Sequence, residues 1–130
     1  MQGSSTVPDT DGNRKREIVD AFLAASRGGD FGALLAVLDS DVVLRVDRAA
    51  AKVGAPSEVR GAAAVAETFS GRARAAQPAL VNGLPGLVWA PGGRPRMIFG
   101  FTIAGGRIVA IDLIADRERI RQLDLSILSG

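Results

Sequence analysis

From Ala79 to Ile120 the chain reads ALVNGLPGLVWAPGGRPRMIFGFTIAGGRIVAIDLIADRERI, a series of apolar runs cut at short intervals by glycine. Glycine-bearing turns between β-branched runs mark hairpins, so this stretch is a meander of antiparallel strands. The strands are expected over Ala79–Asn82, Gly86–Ala90, Arg96–Ala104 and Arg107–Ala115, with Gly105-Gly106 as a tight turn. In the third, Met97, Phe99, Phe101 and Ile103 share one face, and Gly100 and Thr102 share the other. Asp116 then caps a terminal helix with Ile120, Leu123 and Ile127 as an apolar stripe; Arg117, Glu118, Arg119 and Arg121 face solvent.

Upstream the periodicity changes. Residues 1–13 (MQGSSTVPDTDGN) are polar and read as a disordered tail or a linker, leaving 14–130 as the folded domain. Ile18, Val19, Phe22, Leu23 and Ser26 recur at helical spacing, and Gly28-Gly29 stops that first helix. Asp30 caps a second, shorter helix that buries Phe31, Leu34, Leu35 and Leu38. Asp41 to Asp47 alternates as a strand, with Val42, Leu44 and Val46 on one face and Val43, Arg45 and Asp47 on the other. Residues 48–57 read as a loop in which Pro56 bars a regular helix, although the triple alanine suits one helical turn. A third helix is expected over 61–75.

Helices, one strand, a helix and then a meander make an α+β fold, because hairpin turns rather than helical crossovers join the late strands. The expected architecture is one strongly bent, mostly antiparallel sheet wrapped around three helices, a cone-like roll with a C-terminal helix added.

Composition narrows the chemistry. The 130 residues contain no Cys, no His and no Tyr. Disulfides, thiolate chemistry, cysteine–zinc sites and the commonest general base are therefore absent. No metal and no cofactor is expected: no calcium-loop spacing occurs, and the glycine turns lack the Lys-Ser/Thr of a phosphate loop. The net charge of +2 comes without a dense basic patch, so nucleic-acid binding is not expected. With no signal peptide and no long apolar run, a cytoplasmic protein without membrane association is expected.

Asp112 is the sharpest candidate for chemistry. Its strand is apolar on both sides, so its carboxylate is expected to be at least partly buried. Such a group must be paired or take up a proton, which is how a carboxyl becomes a general acid or base. An ion pair with an arginine is the structural alternative. Arg45 and Asp47, two apart on one strand face, are the second candidate, with a strand-end salt pair as the alternative. Asn82, Trp89, Met97, Phe99 and Phe101 are the expected lining of a pocket in the cone, although Met and Phe at period two also describe ordinary core.

Three stretches carry a family resemblance: AFLAASRGGDFGALLAVLDSDVVLRVD, then VRGAAAV, then GGRIVAIDLIAD. Together they resemble the SnoaL-like branch of the nuclear-transport-factor-2-like superfamily. PALVNGLPGLVWAPGGRPR, FTIAGGRIVAIDLIADRERI and the closing LDLSIL are similar to the C-terminal domain of extracytoplasmic-function sigma factors of the sigma factor J type. The likeness covers about residues 15 to 128. In that branch an aspartate, several glycines and a lysine follow the first strand; here Asp47 to Lys52 keeps the ends without the glycines. A second motif, an acid-basic-aliphatic run after the last strand, stands as Asp116, Arg117, Glu118, Arg119 and Ile120, without its proline.

The resemblance implies a regulatory or ligand-binding module that modulates transcription initiation, with Asp116, Glu118, Arg119 and Ile120 in a regulatory segment. Its expected partners are sigma-factor domains or RNA polymerase, an apolar small molecule in the cone and a second copy in a homodimer. The superfamily also implies an alternative: a small isomerase, cyclase or epoxide hydrolase acting on an apolar substrate through Asp112, Asp47 and Arg45. In the epoxide-hydrolase arrangement, however, the Arg-x-Asp pair lies on a later strand, not the first.

Overall fold

A computed structural model describes residues 3–52, 58–71 and 76–127, with side chains from residue 13 onward. Helix α1 spans Gly3–Gly28, and α2 spans Phe31–Val37 behind an Asp30 N-cap whose carboxylate accepts from the Ala33 N–H. The α1 start lies upstream of the expected Arg14. The apolar stripe that anchors α1 still begins at Ile18 and Val19.

Strand β1 (Leu38–Val46) follows α2 without a loop. Leu38, expected on the buried face of α2, already lies in the strand and is buried there. The triple alanine forms a short helix α3 (Arg48–Lys52), because Asp47 caps it: Oδ1 accepts from the Ala50 N–H at 2.8 Å. The rest of the loop expected over 48–57 is outside the described residues. Strand β2 (Glu58–Arg60) was not foreseen; three residues with charged ends carry no readable alternation. Helix α4 (Ala62–Phe69) ends before 72–75, which are also outside the described residues.

The meander is present as β3 (Gln77–Val81), β4 (Leu84–Trp89), β5 (Met97–Ala104) and β6 (Arg107–Ile114). Gly105 and Gly106 turn β5 into β6 with φ of 61° and 79°, which only glycine adopts freely. After α5 (Arg117–Gln122) the chain returns as β7 (Leu125–Ile127). Ile127 therefore sits in a strand, not in the terminal helix. The helix stops at Leu123, and β7 gains ladder partners along β3.

The strands form one sheet in the order β2-β1-β6-β5-β4-β3-β7. All neighbours are antiparallel except β1 and β6, which run parallel. Strand alternation sends the two faces to different places. Val42 and Leu44 of β1, Phe99 of β5 and Ile111 and Leu113 of β6 join the cluster under α1, α2 and α4, around Phe22, Leu34, Val65 and Phe69. On the outer face Ala79, Val88, Ala90, Ile98 and Ile114 form a second cluster, covered by Ile120, Leu123 and Leu125 of the C-terminal arm. Burying each large side chain stabilises the fold by about 1.5–3 kcal/mol. The curled, unclosed sheet over helices is the α+β cone expected from the sequence.

Candidate functional site

Arg45 and Asp112 lie in the adjacent strands β1 and β6, and Asp47 directly follows β1. Parallel pairing sets Arg45 opposite Asp112. The guanidinium donates to both carboxylate oxygens, Nε to Oδ1 at 2.9 Å and Nη2 to Oδ2 at 3.1 Å. This fork geometry is the strongest form of a carboxylate–arginine contact. It raises the pKa of Arg45, first through the hydrogen bonds to Asp112 and then through its charge.

Asp112 falls on the outer face of the sheet, in register with Ala110 and Ile114, opposite the face packed by the helices. Its side chain is 37% exposed and that of Arg45 is 56% exposed. The partial burial expected of Asp112 is thus modest, and its carboxylate faces away from the cone. The structural alternative, an arginine ion pair, describes its surroundings.

Asp47 belongs to a different network. Its side chain is only 9% exposed. Oδ1 takes the Ala50 N–H of α3, while Oδ2 takes the Ala115 N–H at 2.9 Å and the Asp116 N–H at 3.0 Å. Arg119 stands 3.8 Å from Oδ2. Burial pushes the pKa of Asp47 up, but the backbone donors from Ala50, Asp116 and Ala115, with the Arg119 charge, outweigh it and hold it below the usual carboxylate range. One carboxylate thereby ties the end of β1 to the start of α3 and to the β6–α5 junction. Arg45 and Asp47 do not pair with each other, because alternation and the β6 register give each a nearer partner. An aspartate just before Arg-Ala-Ala-Ala is a readable N-cap signal that the sequence reading did not use.

The expected pocket lining divides. Phe99 is 6% exposed and packs on Phe69, with ring centroids 6.1 Å apart. Phe101 meets Phe22 edge to face at 5.2 Å, and Phe22 meets Phe69 in the same way at 5.1 Å. Met97 is half-buried against this cluster. The phenylalanines therefore fill the space between sheet and helices. Trp89, beside Met97 across β4 and β5, is exposed at the strand end. Asn82 sits in the β3–β4 turn with φ 51° and clasps the arm: its N–H donates to the Asp124 carbonyl, and its Oδ1 accepts from the Asp124 N–H, both at 2.8 Å. These five residues do not converge on one cavity.

The Asp116 to Ile120 segment is the start of α5. Asp116 caps it by accepting from the Glu118 N–H at 3.0 Å. Glu118 pairs with Arg121 at 3.4 Å, and Ile120 packs into the outer cluster. Among the described residues no group of three or more acidic side chains is placed to hold a metal ion.

No family model matches this chain, and neither does any curated protein. Solved structures do. The extracytoplasmic function sigma factor SigJ of Mycobacterium tuberculosis superposes with a TM-score of 0.66 and 26% identity over 91% of this chain. An NTF-2-like protein of unknown function from Burkholderia xenovorans matches with a TM-score of 0.56 and 16% identity, covering 91% of this chain and 97% of its own. The chain has the NTF2-like, SnoaL-like fold. The NTF2-like chain spans only 48% of the sigma factor's length. A candidate polyketide cyclase from Sinorhizobium meliloti shares the NTF2-like fold at a TM-score of 0.51 and 18% identity, over 75% of this chain and 94% of its own. Among the described residues no helix is long and apolar enough to cross a membrane.

Proposed function

We propose that this NTF2-like chain is a non-catalytic regulatory module of the kind attached to extracytoplasmic-function sigma factors, and that it modulates transcription initiation by docking on sigma-factor domains or RNA polymerase. The docking surface is the outer face of β2, β1 and β6 together with α5. The observation that carries this reading is the direction of the charged side chains. Arg45 and Asp112 stand on the outer face of the sheet, and Asp47 binds backbone. The interior holds the phenylalanine cluster, and its single buried polar residue among those described is Ser26. An isomerase, cyclase or epoxide hydrolase working in the cone needs an acid or base pointing inward. The likeness to the sigma factor, at higher identity and TM-score than the other two structures, supports the same reading.

A bacterial two-hybrid test against the helical domains of extracytoplasmic-function sigma factors and against core polymerase examines the proposal. A signal lost on charge reversal at Asp112 supports it. No signal with any of these partners overturns it.

A further inference from the structure

A concavity lies away from both the sheet's outer face and the aromatic cluster. It measures about 310 Å³ and sits between one face of α1, the end of α2 and the β5–β6 turn. It is a depression open to solvent rather than an enclosed cavity, with polar and apolar surface in similar share. Arg14, Glu17, Ile18 and Ala21 follow the i, i+3, i+4, i+7 spacing and so share one face of the helix. Gly105 and Gly106 of the β5–β6 turn and Val37 at the end of α2 complete the lining. Ile18 and Val37 are half-buried against the main core, which makes the floor apolar and fixed.

The two charges at the mouth are unused. Arg14 and Glu17 are exposed, and among the described residues neither side chain takes part in an ion pair or hydrogen bond, even with the other one turn away. A guanidinium offers a fork for a carboxylate, and a carboxylate accepts from an ammonium. One cation and one anion at the mouth, over an apolar floor, match a molecule with the reverse pattern: carboxylate and ammonium on one carbon, with a short aliphatic chain beyond.

We infer that this pocket binds a free aliphatic amino acid, with its carboxylate on Arg14, its ammonium on Glu17 and its side chain against Ile18, Ala21 and Val37. The site is independent of the docking face proposed above. It gives the module an effector input on the helical side of the sheet.

Leucine is titrated into isotope-labelled protein while the Gly105 and Gly106 amides are followed by NMR. Isocaproate, which lacks the ammonium, and isopentylamine, which lacks the carboxylate, serve as half-ligands. Leucine is expected to shift both amides saturably in the millimolar range. Arg14→Gln and Glu17→Gln are each expected to weaken leucine about tenfold, the effect of losing one charged hydrogen-bond partner. Glu17→Gln leaves isocaproate affinity unchanged, and Ala21→Phe abolishes binding by occupying the concavity. All three positions are exposed, so unchanged amide signals elsewhere verify the fold of each variant. The absence of a saturable shift at the turn amides overturns the assignment, as does undiminished leucine affinity in both charge variants.

Discussion

Arg45 holds both oxygens of Asp112, at 2.9 and 3.1 Å, across the parallel junction of β1 and β6. The contact is bidentate, yet it lies on an exposed face, with the two side chains 56% and 37% accessible. Its geometry suits recognition better than stability, because solvent screens it and two long side chains must be held in place.

The first prediction follows from that exposure. Asp112→Asn and Arg45→Gln each lower stability by about 1 kcal/mol or less, and a double-mutant cycle between them gives a coupling below about 1 kcal/mol. Urea denaturation measures both. A coupling of several kcal/mol would mean that the pair is a structural keystone instead.

Asp47 behaves in the opposite way. Removing its carboxylate leaves the Ala50, Ala115 and Asp116 N–H groups without their acceptor. Asp47→Ala is expected to cost about 2–4 kcal/mol in urea denaturation, the sum of a lost N-cap and further unsatisfied donors. Faster hydrogen exchange at Ala115 and Asp116 should accompany it. The pH dependence has a definite sign. The native pKa lies below the ordinary value, so the stabilisation is present above the unfolded-state range, at about 4, and is lost as pH falls through the native pKa. Asp47→Asn should flatten that acid limb; an unchanged limb would assign the acid sensitivity elsewhere.

The interior gives a third prediction. Phe22 is fully buried between Phe69 and Phe101. Phe22→Ala should cost about 3–5 kcal/mol by opening a cavity that its neighbours refill only in part. Thermal unfolding followed by circular dichroism reads this directly, and a change under about 1 kcal/mol would show that the cone is loosely packed.

Asn82 tests the attachment of the arm. Asn82→Ala loses the bond from the Asp124 N–H and keeps a backbone φ of 51°, which alanine tolerates poorly. Asn82→Gly loses the bond but relaxes the backbone. The alanine variant should therefore be the less stable, by about 1 kcal/mol, and exchange at Leu125 should rise in both. Equal protection at Leu125 in both variants and the wild type would show that the clasp does not hold β7.

Residue by residue, what the sequence disclosed follows the range of the interactions. The meander was legible because alternation and Gly105-Gly106 are local signals. The face carrying Met97, Phe99 and Phe101 was legible for the same reason. Pairing of β1 with β6 was not, since Arg45 and Asp112 are 67 residues apart and nothing local sets their register. That register decides the partner of Asp112; the strand's apolar neighbours suggested burial, but alternation turns the side chain to the sheet's outer face. The end of the chain misled for another reason. Ile120, Leu123 and Ile127 fit a helical stripe, while Leu125 and Ile127 equally fit a strand, and a segment this short cannot separate the two periods. Asp47 was locally legible as an N-cap; its grip on Ala115 and Asp116 was not.

The proposal makes the outer sheet face, not the cone, the working surface. Its most direct test is equilibrium binding of the chain to the helical domains of an extracytoplasmic-function sigma factor assembled with core polymerase, comparing wild type with Asp112→Arg. The wild type is expected to bind saturably and the variant about tenfold or more weakly, with fold and denaturation midpoint close to wild type. Wild-type binding that Asp112→Arg leaves untouched would contradict it.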